Sequence, residues 1–149
     1  MKKSTKFTFI IIFINLLIAA TIIVTMFGDF HDLFTIITDW SLNLLIGIGT
    51  LFLSGYYISL IMERLIIQRK FYSLPTGIIG LLIILLIGTF FGSTVGFLND
   101  GLVNMYSEQK ITDVIFDYYC KPFFWIFFFG IIPTIITGGT LGYLIKKYQ

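Results

Sequence analysis

Charge is what this 149-residue sequence has least of: only 12% of its residues are charged, and it holds one cysteine, one histidine and three prolines. Each scarcity removes a class of function. A lone cysteine, Cys120, rules out an intrachain disulfide and a CxxC redox pair, and is expected to be a buried or free thiol. A lone histidine, His31, rules out the HExxH zinc motif, and no His–Cys–Glu metal spacing exists. There is no glycine loop carrying a phosphate-binding lysine and no GxSxG nucleophile elbow. No cofactor is expected.

What is abundant is apolar surface. Hydrophobic residues make up 57% of the chain, and the mean hydropathy is +0.96, outside the range of soluble domains. Four runs, Phe7–Phe27, Leu42–Met62, Gly77–Leu98 and Pro122–Ile145, each reach about 30 Å as helices, the thickness of a bilayer core. None has a charge in its interior, which argues against coupled transport through an intramembrane acid or base. The expected fold class is all-α: residues 1–149 form a single four-helix transmembrane bundle. The apolar part of the first run is too long for a signal peptide and is expected to stay as a helix.

The few charges are strongly sorted. Lys2, Lys3, Lys6, Arg64, Arg69, Lys70, Lys146 and Lys147 are eight of the ten basic residues and fall on one side of the spans, with Glu63 as their sole acid. Asp29, Asp32, Asp39, Asp100, Glu108, Asp113 and Asp117 fall on the other. The positive-inside rule then places both termini in the cytoplasm, in a plasma membrane, with two acidic loops outside. This is a topology signal rather than a nucleic-acid footprint, and the basic rims suit anionic headgroups of the lipid bilayer. The one-sided bias also separates the chain from small fluoride channels, which as a family insert in both orientations.

Within the spans, small residues form rows. Gly88, Gly92 and Gly96 recur every four residues in the third helix, and Gly80 extends the row. Gly130, Thr134, Gly138 and Gly142 do the same in the fourth. Close backbone approach at small residues drives helix association in lipid, so the two rows are expected to pack on each other, as a glycine zipper. In the second helix Asn43, Gly47, Thr50, Ser54 and Tyr57 share one stripe, either a packing seam or, in a homo-oligomer, the wall of a pore. Asn15 is expected to seek an interhelical partner, and Thr21 and Thr25 to bond the carbonyls of the preceding turn. Pro75 and Pro122 mark helix starts, and Pro133 predicts a kink near Phe129 and Gly130.

Both outer loops carry helical periodicity. Phe30, Leu33, Phe34, Ile37 and Trp40 suggest a short amphipathic helix between Gly28 and Ser41, and Ile111, Val114, Ile115, Tyr118 and Tyr119 suggest a second. Together they form an outer cap with His31, Asp32, Asp39, Asp113 and Asp117 as candidate contacts. The enzyme reading with most chemical content is an intramembrane aspartyl hydrolase using carboxylates among Asp29, Asp39, Asp100 and Asp117. In helix count and orientation the chain is similar to bacterial lipoprotein signal peptidase, but it lacks that family's asparagine and glycine motifs around the aspartates.

In layout, through its four spans, the KKSTK start, the ERLIIQRK loop and the IKKYQ end, the chain resembles the membrane component of Kiwa-type bacterial anti-phage defence. That resemblance implies a membrane subunit working with a soluble cytoplasmic partner, met here at Arg64, Arg69, Lys70 and the C-terminal tail. The expectation is a non-enzymatic bacterial inner-membrane protein that self-associates and serves as sensor, anchor or scaffold. The alternative is a small homo-oligomeric pore.

Overall fold

The computed structural model describes residues 2–27, 42–102 and 110–148. The described chain is helical, with no strand among the described residues. Its elements are α1 (Lys3–Phe27), α2 (Leu42–Glu63), α3 (Ser73–Gly96), a short α4 (Ile111–Ile115) and α5 (Lys121–Tyr148). Four helical stretches are long and apolar enough to cross a membrane. At the basic end each extends further than hydropathy alone suggests, and the fourth also extends further at the acidic end. In α1 this is because Ser4 and Thr5 hold hydrogen-bond partners that let their polar groups enter the bundle.

The helices form a ring in the order α1, α2, α3, α5. The heaviest packing is of α3 on α5 and on α2, with α1 closing the ring against α2 and α5. The core cluster, Ile11, Ile12, Met62, Ile66, Leu81, Ile84, Leu141 and Ile145, takes two residues from each helical stretch of the ring. All eight lie between mid-helix and the basic end. Beyond Asn15, α1 has no fully buried side chain among the described residues.

Three π-helical turns extend the helices: Arg64–Gln68 after α2, Phe97–Gly101 after α3, and Phe116–Cys120 joining α4 to α5. The last of these makes residues 111–148 one continuous helical stretch. Pro122 therefore does not begin a helix but is the second residue past a widened π segment. A proline has no N–H for the carbonyl four residues back and crowds it, and the wider turn accommodates both defects. Pro133 lies inside α5, which runs through it unbroken. Pro75 is the third residue of α3, still within the first turn, where N–H groups have no intrahelical acceptor. Thr21 and Thr25 donate to the carbonyls of Leu17 and Thr21 at 2.8 and 3.0 Å.

The α2–α3 turn closes on a residue with positive φ. Lys70 has φ 52°, and the Phe71 N–H donates to Leu65 O at 3.1 Å. This is a six-to-one helix-capping bond around a left-handed residue, a place glycine usually takes, and it holds the basic turn in one shape at a cost of about 1 kcal/mol.

Candidate functional site

The polar chemistry of the molecule is concentrated where the start of α1 meets the end of α2. Gly55, Ser59 and Glu63 succeed one another every four residues on α2 and face Ser4, Thr5 and Thr8 of α1. A Cβ at Gly55 would meet Ile12 Cδ1 at 2.5 Å, so the helices approach closely here. Ser59 donates to Tyr56 O at 2.7 Å, which commits its proton. The buried hydrogen bond of 3.0 Å between Thr5 and Ser59 therefore has Thr5 as donor. Thr8 donates to Ser4 O at 3.0 Å. Ser4 donates to Glu63 Oε2 at 2.6 Å and Lys2 Nζ reaches Glu63 Oε1 at 3.2 Å.

The Glu63 side chain is only 18% exposed, and withdrawing a carboxylate from water is costly. The short charge-assisted bond from buried Ser4 offsets that, and counts for more than the pair with Lys2, whose side chain is 62% exposed. A second interhelical bond lies at mid-depth. Asn15 donates to Thr137 Oγ1 at 2.9 Å, and Thr137 contacts Asn15 Oδ1 at 3.2 Å while bonding Pro133 O at 2.7 Å. The amide thus has its partner across the α1–α5 seam.

The same end gathers the cations. Phe7 lies against Tyr148 with ring centroids 5.7 Å apart, α5 touches the Arg64–Gln68 turn, and Lys2 is tied to Glu63. Lys2, Lys3, Lys6, Arg64, Arg69, Lys70, Lys146 and Lys147 consequently surround one end of the bundle, all exposed. Lys147 Nζ lies 5.7 and 5.4 Å from the ring centroids of Tyr143 and Tyr148.

The glycine rows are connected differently from the sequence expectation. Helices α3 and α5 do pack closely, but not row on row. Gly138 and Gly142 meet Gly77, Ile78 and Ser73 at the start of α3, where an added Cβ at Gly142 or Gly77 would collide with the backbone of Ser73 or Gly138. Gly88, Gly92 and Gly96 instead face α2. A Cβ at Gly92 would lie 3.5 Å from Gly47 Cα, one at Gly96 3.2 Å from Asn43 Nδ2, and one at Gly88 would press on the Leu51 side chain. Gly80 faces Met62. Around Gly130 there is room, the nearest atom being Leu85 Cδ2 at 3.6 Å, and Thr134 is buried. A row at spacing four winds about 40° around its axis per step, so one row need not meet one neighbour. Gly77 and Ser73 were missed because they lie outside the strict spacing; the signal was Gly138 and Gly142 needing an equally small opposing surface.

The α2 stripe is also divided. Asn43 and Gly47 face α3, with Asn43 Oδ1 accepting from Asn99 at 3.3 Å. Thr50 bonds Ile46 O and Gly47 O, both at 2.9 Å, and buried Ser54 bonds Leu51 O at 3.1 Å. Tyr57 is 60% exposed on another side, edge-on to Tyr56. The stripe is not one surface within this chain, because a seven-residue repeat drifts around a straight helix.

At the acidic end, His31, Asp32 and Asp39 lie outside the described residues, as does the expected helix between Gly28 and Ser41. Of the expected second amphipathic face, Val114 is buried and Tyr118 and Tyr119 pack on Phe97 and Phe90, but Ile111 and Ile115 are exposed. Tyr119 donates to Thr94 at 3.2 Å. Asp113 is exposed. Asp117 pairs with Lys121 at 2.6 Å on an exposed helix face, so it is engaged in a local ion pair. Asp29 and Asp39, the other candidate carboxylates, are outside the described residues, and no side-chain position is described for Asp100. Cys120 is a free, exposed thiol. Among the described residues no group of three His, Cys, Asp or Glu side chains converges as a metal site would need. Comparison of the chain with protein-family models, with curated proteins and with solved structures returned no match.

Proposed function

We propose that this protein is a non-enzymatic, multi-pass anchor subunit of the bacterial inner membrane whose basic end faces the cytoplasm and docks a soluble partner with an acidic surface. The observation that carries this reading is the coincidence of two features at one end. The cations of three chain segments converge there, and it is the end with the buried core, the Ser4–Thr5–Ser59–Glu63 clasp and the capped Lys70 turn. A charged docking surface gains specificity when its side chains stand on a rigid frame, because less is lost to ordering on binding. Self-association and a role in anti-phage defence belong to the same proposal.

Two measurements test it. The protein purified from its native membranes should retain a stoichiometric soluble partner, and the variant carrying Lys70→Glu, Lys146→Glu and Lys147→Glu should lose it while remaining monodisperse. Absence of such a partner, together with ion flux through reconstituted protein, would favour a pore and overturn the anchor reading. Orientation is open to the native thiol. Cys120 lies at the acidic end and is exposed, so an impermeant maleimide should label it in intact spheroplasts. Labelling only after permeabilisation would reverse the topology.

A further inference from the structure

A groove of about 410 Å³ runs along the outer side of α2 at the basic end, lined by Tyr57, Leu60, Ile61, Arg64, Leu65 and Arg69. Its wall is apolar and its mouth is cationic, and helix geometry explains both. Residues 57, 60, 61, 64 and 65 follow the i, i+3, i+4, i+7, i+8 pattern of a single helical face. In an α-helix Arg69 would point well away from Arg64. The π turn changes this: Arg69 N–H donates to Arg64 O at 3.2 Å, and with this five-residue bond both arginines line the same groove. Neither guanidinium has an ion pair among the described residues. Among the described residues the one acid at this end, Glu63, turns the other way, to Ser4 and Lys2.

We propose that this groove binds one anionic phospholipid, its phosphate held between Arg64 and Arg69 and an acyl chain lying along Tyr57, Leu60, Ile61 and Leu65. Depth fits the assignment. The apolar run of α2 ends at Met62, so Arg64 stands where the hydrocarbon gives way to headgroups, while Tyr57 and Ile61 lie one to two turns deeper. Two unpaired guanidiniums in fork geometry match a phosphodiester better than point-charge lysines do. The lipid goes beyond the docking role, for it occupies Arg64 and Arg69 and leaves Lys70, Lys146 and Lys147 to the soluble partner.

The test is native mass spectrometry of the full chain in micelles doped with equal amounts of phosphatidylglycerol and phosphatidylcholine. Wild type should retain one phosphatidylglycerol in preference, and Arg64→Gln/Arg69→Gln should retain it about tenfold less or weaker still. Ile61→Trp, which fills the groove and keeps both cations, should also lower retention, and provides a readout if the double variant misfolds. Lys146→Gln/Lys147→Gln should retain it as wild type does. Equal retention of the two lipids, an unaffected arginine variant, or an equal loss in the lysine variant would overturn the proposal. Displacement of the lipid by millimolar inorganic phosphate would overturn it too, since the site would then be one for free anions.

Discussion

The basic half and the acidic half of the bundle are built from the same kind of residue and held together differently. In the basic half, buried Ile11, Ile12, Met62, Ile66, Leu81, Ile84, Leu141 and Ile145 fill the centre. Gly77 and Gly142 bring α3 and α5 to backbone contact, and hydroxyls bridge α1 to α2. In the acidic half, α3 meets α2 at ordinary van der Waals distance around Gly47 and Gly92, and it is steadied by Tyr118 and Tyr119 on Phe97 and Phe90. There α1 contributes no fully buried side chain among the described residues. Lipid tails compete with apolar side chains on nearly equal terms, so tightness in a membrane bundle follows close backbone approach and interhelical hydrogen bonds rather than hydrophobicity. The closest backbone approach and the fully buried Thr5–Ser59 bond are at the end that carries the cations, while the acidic half has the more exposed Asn99–Asn43 and Tyr119–Thr94 bonds.

The contrast can be broken by substitution, with the largest effect at Gly142. Gly142→Ala puts a Cβ into the carbonyl of Ser73, which cannot move without shifting a helix. It should cost more than about 3 kcal/mol, read as loss of monodisperse protein in detergent. Removing the clasp acid comes next. Glu63→Leu deletes the acceptor for Ser4 and Lys2 and should lower stability by about 1–2 kcal/mol in a denaturant titration, most of it from the Ser4 bond. The smallest effect has the opposite sign. Lys70→Gly relieves the left-handed backbone and should stabilise by about 1 kcal/mol.

How much of this was legible in the sequence depends on the physics involved. The four apolar helices were readable because composition and run length decide them. Asn15 announced its need for a partner, but Thr137 was one of several hydroxyls that could have supplied it, and only packing selects it. Ser4 and Thr5 fell outside the expected first span because hydropathy scores a hydroxyl as polar. Both are fully buried, since Glu63 and Ser59 satisfy them. The small–small–acid spacing of Gly55, Ser59 and Glu63 was the available signal. Helix pairing was the least legible part: the rows of Gly88 and Gly138 look alike in sequence, yet one serves α2 and the other the start of α3. The groove beside Arg64 and Arg69 was hidden because these residues share a face only through a π turn.

The most direct test of this asymmetry uses one helix and two equal changes. Gly77→Ala and Gly92→Ala both add a methyl group to α3, the first against the backbone of Gly138 and Gly142 and the second 3.5 Å from Gly47 Cα. Their unfolding midpoints in the same detergent should separate widely, with Gly77→Ala lowered by several degrees or unfolded and Gly92→Ala within about 1 kcal/mol of wild type. Equal shifts, or a larger loss for Gly92→Ala, would contradict a bundle that is locked at its basic end.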